Sequence, residues 1–338
     1  MFIIKRLGYL VFVLWGLSIL IFVISRAIPG DPARMAVGPK ASEEVVQRLR
    51  IAMHYDKAIY VQYYYWFEDM LHGDLGLSIV TKHPVLEDIR QVFPATFELA
   101  IFAFIFLILV GIPMGIISAR YNNTWVDNLG RLLSYLGVVT PPYVFAIMGM
   151  LIFCYILKVL PAMGRLSPGL IYPPKITGLI TIDALIQGNF IVFVDALKHL
   201  ILPAVSLGLL GMATDARITR SSIYDNMGKD YIVAVQSYGI PERVIMFRDL
   251  LKPSIIAVVS MIGLEFGSIL SHAFLVELIF NWPGFARYGM TAIMFTDLNA
   301  ISAVVLILGV IFVIMNIIVD LVVDFLDPRI HLIKERSE

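Results

Sequence analysis

The chain has 338 residues, of which 59% are hydrophobic and only 15% are charged, and its formal net charge is zero. Soluble domains carry about 45–50% apolar and about 25% charged residues, so an ordinary soluble domain is excluded. Zero net charge gives no basic footprint for nucleic acid, and a single cysteine, Cys154, excludes an internal disulfide. Because the apolar residues form runs long enough to cross a bilayer, the sequence predicts an all-α polytopic membrane protein.

The first apolar run covers residues 7–25 and contains no charge, with Lys5 and Arg6 directly before it. It is longer than the core of about 7–15 residues in a secretory signal peptide, and no small-x-small cleavage site precedes Arg26. We therefore interpret residues 1–25 as a cytoplasmic end followed by a retained first transmembrane helix.

A polar segment, residues 26–96, follows the first run and is predicted to form a sizeable extracytoplasmic region. One helix is expected to begin at Ser42, which is a good N-cap residue, and another covers residues 58–71, which are rich in tyrosine. Such a density of aromatic side chains is typical of a membrane interface, and stacking on a ligand is the alternative.

Five further apolar runs predict transmembrane helices, which makes six with the first. They cover, in round numbers, residues 99–118, 132–157, a run from 200, a run from 254, and 300–319. Pro113 predicts a kink in the second span, and the adjacent Pro141 and Pro142 remove two backbone donors within the third. Asp215 and Arg217 are expected to cut the fourth span short.

The distribution of lysine and arginine predicts the orientation. With the N-terminus in the cytoplasm, thirteen of these residues fall inside, and five fall outside once residues 26–96 are set aside. Segments beyond about sixty residues translocate largely regardless of their charge, which justifies the exclusion. Both termini are therefore expected in the cytoplasm, with residues 324–338 as a tail.

A charged stretch, residues 224–253, interrupts the apolar second half of the chain and predicts two short helices with a hinge. Tyr231, Val235 and Tyr238 are spaced as one helical face. Gly239 suits the left-handed conformation that ends a helix. A helical pair with an exposed aromatic face needs a groove on a partner protein. One hypothesis is therefore a coupling element that transmits force between this chain and a soluble motor protein. A solvated loop with a helical turn is the alternative.

The second helix of that stretch is expected to begin at Pro241, which suits a first helical turn. Val244, Phe247 and Leu251 would lie on one of its sides, with charged residues interspersed.

The fifth span contains three ionisable residues, Glu265, His272 and Glu277. A charge at the bilayer centre costs roughly 2.5–3.5 kcal/mol on insertion scales, so these residues are expected to have a structural or functional role. Glu265 and His272 lie within roughly 20° of each other on a helix. They either line an aqueous pathway or form a buried structural pair, and both interpretations remain open.

The opposite side of the same span carries small residues, Gly263, Gly267 and Ser271. Small residues allow a neighbouring helix to approach closely, so this side is expected to pack.

Catalytic motifs are absent from the sequence, which has no phosphate-binding Gly-x-x-x-x-Gly-Lys-Ser loop, no His-Glu-x-x-His and no Gly-x-Ser-x-Gly. We therefore predict no catalytic residues, no metal site and no cofactor on this chain. If the activity of this protein depends on a nucleotide, another chain binds that nucleotide.

Several motifs together resemble one family. They are Ile28-Pro-Gly-Asp-Pro-Ala, Gly73-Asp-Leu-Gly-Leu-Ser, Phe93-Pro-Ala-Thr-Phe-Glu-Leu-Ala, Lys198-His-Leu-Ile-Leu-Pro-Ala, Arg220-Ser-Ser, Asp230-Tyr-Ile and Val276-Glu-Leu-Ile-Phe-Asn-Trp-Pro-Gly. In this order and spacing the chain resembles the B-type permease subunit of dipeptide, oligopeptide and nickel ATP-binding-cassette importers.

The resemblance implies a type I importer permease fold with six transmembrane helices in a prokaryotic plasma or inner membrane. The permease core would be residues 97–323, including an extracytoplasmic loop, 160–199, and the cytoplasmic coupling loop, 224–253. The implied partners are a homologous C-type permease, an extracytoplasmic substrate-binding protein, and two cytoplasmic ATPases that carry ATP and magnesium.

The family's coupling motif, Glu-Ala-Ala, three residues, Gly, would place its glycine at Gly239. Here Val233, Ala234 and Val235 occupy its first three positions, so the acid is absent, and Leu251-Lys252-Pro253 replaces the downstream Leu-Pro. The implied ATPase-coupling residues are Asp230, Tyr231, Ala234, Val235, Tyr238, Gly239, Ile240 and Pro241.

The resemblance also implies half of a translocation pathway, for which the candidate residues are Thr140, Pro141, Glu265, His272 and Glu277. Pro141, Pro142 and Gly267 are candidate flex points for rocking between inward- and outward-facing states. The expected cargo is short peptides. The same architecture could import oligosaccharides or a nickel chelate, and a self-sufficient secondary transporter is the alternative from another class.

Overall fold

The computed structural model describes residues 2–27, 32–38 and 41–326. These residues are predominantly helical, and the only extended pairing among them is an isolated bridge between Leu77 and Pro84. The helices of the N-terminal half are α1 Phe2–Ala27, α2 Pro32–Val37, α3 Glu43–Ala52, α4 Ile59–Leu71, α5 Val85–Phe106, α6 Ile112–Arg120, α7 Trp125–Val139 and α8 Pro142–Gly149. The later helices are α9 Ile180–Ile186, α10 Phe190–Met227, α11 Asp230–Ser237, α12 Glu242–Val244, α13 Leu251–Ile279, α14 Phe285–Met294 and α15 Leu298–Leu326.

Four helices in the described part of the chain are long and apolar enough to cross a membrane. They are Val85–Arg120, Phe190–Met227, Glu242–Ile279 and Leu298–Phe325. A fifth span results if the bent pair α7 and α8 counts as one. The apolar part of α1, Leu10–Arg26, is shorter. The all-α polytopic class is confirmed, and the six-helix count stays a prediction.

The third apolar run, predicted as a span over residues 132–157, is not one continuous helix. Helix α7 ends at Val139, and α8 leaves it at an angle of 106°. Thr140 is extended because the residue before a proline is pushed away from helical geometry. Pro142 begins α8, where its missing N–H costs no hydrogen bond. The two prolines therefore break the helix rather than bend it.

Two of the long helices contain a π-helical segment that is separated by one or two residues from the proline that follows it. Leu107–Gly111 precedes Pro113 between α5 and α6, and Ile245–Leu250 precedes Pro253 between α12 and α13. A proline inside a helix interrupts the regular hydrogen bonds, and a wider turn on its N-terminal side accommodates the missing donor. The irregularity that Pro113 predicts therefore takes the form of a π segment.

The same effect corrects the prediction of a second short helix before the fifth span. α12, the π segment and α13 form one helix, Glu242–Ile279, so the expected second helix is the first part of the fifth span. A third π segment, Met150–Ile156, follows α8.

Helix α10 continues through the charged residues that were expected to end the fourth span. It runs for 38 residues, and Asp215 lies inside it, fully buried. The prediction that Asp215 and Arg217 cut the span short is wrong, since a buried acid can face other helices instead of solvent. Close approach is possible because Gly208 contacts the backbone of Ala103 in α5.

One compact unit comprises Met1–Phe93 and Phe285–Val313. In this unit the aromatic helix α4 packs on α1, where the Phe22 ring contacts Tyr63 and Trp66. The Ser18 hydroxyl lies 2.9 Å from the Tyr63 hydroxyl. Tyr60 and Tyr64 are exposed. Part of the tyrosine-rich surface is thus committed to packing, and the rest remains available to an interface.

The loop before α15 is held in the same unit by a buried acid. The Asp297 carboxylate accepts hydrogen bonds from the Ser78 hydroxyl at 2.6 Å and from the Ile79 N–H at 2.7 Å. Burial and the nearby Asp88 carboxylate raise the pKa of Tyr288, which belongs to α14. The motif that begins at Gly73 is therefore fixed by side chains far along the chain.

Candidate functional sites

The second compact unit comprises Pro94–Gly284 and Ile314–Glu338, and it contains the predicted hinge. We call residues 230–241 the elbow. Helix α11 ends at Ser237, and Gly239 has a φ of +70°, so the predicted left-handed helix end is confirmed. A Cβ atom at Gly239 would meet nothing within 4 Å. Glycine is therefore favoured here by backbone conformation and not by lack of space.

The elbow is anchored by its apolar side. Ile232 is fully buried in a cluster with Ile223, Ile245 and Leu250, and Val235 and Ile240 pack against that cluster. Tyr231 and Tyr238 are exposed. The predicted face of Tyr231, Val235 and Tyr238 is therefore divided, because Val235 faces the protein while the two tyrosines face outwards.

A salt bridge joins the C-terminal part of α10 to the start of α7. Arg220 donates from Nε to Asp127 Oδ1 at 2.6 Å and from a terminal nitrogen to Asp127 Oδ2 at 2.9 Å. The Ser118 hydroxyl donates to the same carboxylate at 2.5 Å. This bidentate geometry fixes orientation as well as distance. The Arg220-Ser-Ser motif therefore contributes to a structural contact between two helices, and no local sequence pattern identifies its partner Asp127.

Glu277 belongs to a second structural joint. The Thr96 hydroxyl donates to its Oε1 atom, and Gly284 lies against its carboxylate. Trp282 donates from Nε1 to the Ala95 carbonyl at 3.0 Å. The motifs that begin at Phe93 and Val276 thus pack against each other, which explains why both contain small and polar residues.

Among the predicted pathway residues, Glu265 and His272 share one cavity of about 230 Å³. Gly211 and Thr214 of α10 line its other side, and Ser268 lies between the two predicted residues. The expectation that Glu265 and His272 share a helical face is confirmed. Thr140, Pro141 and Glu277 do not line this cavity.

Asp215 is the residue that sequence reasoning missed. It is fully buried in α10, one turn after Gly211, where a Cβ atom would lie 3.0 Å from Glu265 Oε2. The two carboxyl groups interact electrostatically. None of their four oxygens has a hydrogen-bond partner outside the pair among residues 2–27, 32–38 and 41–326, and the buried Thr219 hydroxyl has none at all there. The four-residue spacing of Gly211, Asp215 and Thr219 is the signal that could have placed Asp215 inside the bundle.

The small-residue side of the fifth span packs in part. A Cβ atom at Gly263 would lie 2.5 Å from a methyl group of Val319 in α15, so this glycine permits close helix contact. Ser271 is exposed and donates to the Gly267 carbonyl at 3.0 Å. The expected packing is therefore found at the Gly263 end.

We expect Gly263→Val to destabilise the folded protein by about 1–3 kcal/mol, because the added methyl groups overpack the contact with Val319. The measurement is the denaturant midpoint of the purified chain in detergent. Gly16→Val in α1 is the matched control, since a Cβ atom there meets nothing within 4 Å. Equal midpoints for the two variants would contradict the close contact.

Comparison with known proteins identifies the family. The family described as binding-protein-dependent transport system inner membrane component matches residues 111–332. Its N-terminal counterpart, described as the N-terminal part of such a membrane component, matches residues 1–100. The chain belongs to this family of transport permeases. It is therefore a multi-pass membrane component of a binding-protein-dependent transport system.

Relatives resemble this permease over almost its full length. A probable D,D-dipeptide transport system permease protein of Escherichia coli K12 is 39% identical over 96% of both chains. A dipeptide transport system permease protein of Alkalihalophilus pseudofirmus is 39% identical over 96% of this chain and 98% of its own. The dipeptide transport system permease protein of Escherichia coli K12 is 32% identical over 98% of both.

Proposed function

We propose that this permease forms half of the translocation pathway of an ATP-driven importer for short peptides. The observation that carries the proposal is the elbow, which is anchored inside by Ile232 and presents Tyr231 and Tyr238 outwards. An anchored helix with exposed tyrosines suits a groove on a partner, because tyrosine is enriched among residues that dominate binding. The names of the relatives support peptides as the cargo.

In this proposal the chain pairs with a homologous C-type permease, and two cytoplasmic ATPases bind ATP and magnesium. Both termini and the elbow face the cytoplasm, as the lysine and arginine distribution predicts. Residues 26–96 and 160–199 face the other side and receive the substrate-binding protein. The coupling residues are those of the elbow, from Asp230 and Tyr231 to Ile240 and Pro241.

In this proposal, the movement of the ATPases reaches the membrane-spanning helices through the packed side chains of the elbow. Approach of the two ATPases moves α11, and the cluster around Ile232 passes this movement to the Glu242–Ile279 helix, since Ile245 and Leu250 belong to both. The break at Thr140 and Pro141 is the place where α7 and α8 can change their angle. A ligand-driven change of this kind requires different affinities for two states.

The test is ATP hydrolysis in proteoliposomes that contain the permease pair and both ATPases. We expect the substrate-binding protein loaded from a library of short peptides to stimulate hydrolysis. Stimulation by an oligosaccharide or a nickel chelate and not by any peptide would overturn the peptide assignment. Solute uptake by the purified chain without ATPases would overturn the importer assignment in favour of a secondary transporter.

Tyr238 offers a specific test of the elbow. It is 84% exposed, and we expect Tyr238→Ala to weaken binding of the ATPase by about tenfold, which corresponds to about 1.4 kcal/mol. The measurement is the affinity of the purified ATPase for the permease pair in nanodiscs. Tyr60→Ala in α4, a position that is 75% exposed, is the control. Unchanged affinity in Tyr238→Ala would argue against the elbow as the docking site.

A further inference from the structure

The cavity beside Glu265 adjoins two buried carboxyl groups that have no cationic partner, and the permease role does not explain them. Asp215 is 0% exposed and Glu265 is 8% exposed, and both belong to membrane-spanning helices. Two neighbouring carboxyl groups in apolar surroundings cannot both be charged without a counter-ion. No cationic side chain among the described residues hydrogen-bonds either group. The pair must therefore hold a proton or accept a cation from outside the chain.

The local helix geometry brings this acid pair to a junction of three helices. Gly111, at the end of a π segment, lies against Asp215, with a Cβ position 3.0 Å from the Asp215 Cβ atom. Gly211 allows the Glu265 carboxylate to approach α10. Two glycines and a π segment thus make room for two acids, and π segments are frequent at functional sites.

A ligand that enters the cavity reaches Glu265 before it reaches Asp215. Glu265 and His272 line the cavity, whereas Asp215, which interacts with Glu265, does not. A volume of about 230 Å³ is below the roughly 300–1,000 Å³ of pockets that enclose a whole small molecule. The site therefore suits the end group of a longer cargo.

We infer that the Asp215–Glu265 pair is a binding site for the terminal ammonium group of a short peptide in transit. This inference rests on the proposed function. An ammonium group has three N–H donors, and both carboxyl groups lack a hydrogen-bond partner outside the pair. A divalent metal is a poorer match, because the described residues contain no group of three or more His, Cys, Asp or Glu that could hold one.

Binding of the ammonium group displaces a proton from the acid pair. In the empty site the pair shares a proton, and when the ammonium group enters, that proton leaves to water through the cavity. His272, whose Nδ1 atom lies 2.8 Å from the Ser268 carbonyl oxygen, is the other titratable group that lines this route. The exchange leaves one net negative charge on the buried pair in both states, so entry of the ammonium group adds no charge to the membrane interior.

The test uses the assembled transporter without ATP, treated with dicyclohexylcarbodiimide, an apolar reagent that adds to protonated buried carboxyl groups. Modification of Glu265 is measured by mass spectrometry. We expect a saturating concentration of dialanine to lower it by about threefold or more. Propionyl-alanine, which has the same backbone length but no ammonium group, should give no protection. Asp215→Asn should abolish the difference between the two compounds.

Glu87→Gln is the matched control for Asp215→Asn, because Glu87 is an exposed acid of α5, and it should retain the protection by dialanine. No modification of Glu265, no protection by dialanine, or equal protection by both compounds would overturn the inference. ATP-driven peptide uptake in the same preparation is scored separately. Uptake without selective protection contradicts only this inference, and absence of uptake for every peptide contradicts the proposed function.

Discussion

Gly239→Val is expected to lower ATP-driven uptake by about tenfold to a hundredfold while the chain still inserts in the membrane. Gly239 has a φ of +70°, and a non-glycine residue in that region costs about 1–3 kcal/mol, with β-branched residues the least tolerant. The elbow relieves this strain by changing the angle between α11 and the helix that follows. Hydrolysis by the bound ATPases should then continue without matching uptake. The measurement is the ratio of uptake to hydrolysis in proteoliposomes.

The matched control is Gly188→Val. Gly188 has a φ of +67°, and a Cβ atom there also meets nothing within 4 Å, so the substitution introduces the same backbone strain outside the elbow. Gly188→Val should retain the wild-type ratio of uptake to hydrolysis. Equal loss of coupling in both variants would show a general effect of strain and would contradict the role of the elbow.

Glu98→Gln is expected to destabilise the folded chain by about 3–5 kcal/mol, the usual cost of breaking a buried ion pair. Glu98 accepts a hydrogen bond from Arg165 at 2.5 Å, and both side chains are buried. Its other oxygen accepts from the Thr181 N–H at 2.8 Å and from the Thr181 hydroxyl at 2.7 Å. Removing the negative charge leaves the Arg165 guanidinium buried and uncompensated. The measurement is the denaturant midpoint in detergent.

Glu87→Gln in the same helix is the control, and its midpoint should equal that of the wild type within about 0.5 kcal/mol. Limited proteolysis gives a second readout, because Glu98 fixes the polypeptide between Arg165 and Thr181. Cleavage in that stretch should become faster in Glu98→Gln. A midpoint as high as that of the wild type would contradict the ion pair.

Local patterns predicted the features that depend on neighbouring residues. Hydropathy located the long helices, helical periodicity placed Glu265 and His272 on one face, and Gly239 identified a left-handed helix end. Each of these follows from a few consecutive turns of chain, so a single sequence contains the information.

Features that depend on distant residues were not predictable in the same way. Asp215 looked like the end of a span because a charge in an apolar run usually meets solvent, and its partner Glu265 comes from another helix. Asp127 and Arg220 are separated by 93 positions. The helix breaks at Pro141 but continues uninterrupted across Pro253, and no local pattern predicts this difference. One proline ends a helix and another is absorbed by a π segment, and tertiary packing decides between the two outcomes.

The elbow's contact with a cytoplasmic ATPase can be measured directly by cysteine labelling. Cys154 is the single native cysteine, so Tyr238→Cys in a Cys154→Ser background gives one defined site for a membrane-impermeant maleimide. The account predicts rapid labelling from the cytoplasmic side and strong protection once the ATPases are bound. Labelling from the opposite side of the membrane, or labelling that bound ATPases leave unchanged, would contradict it.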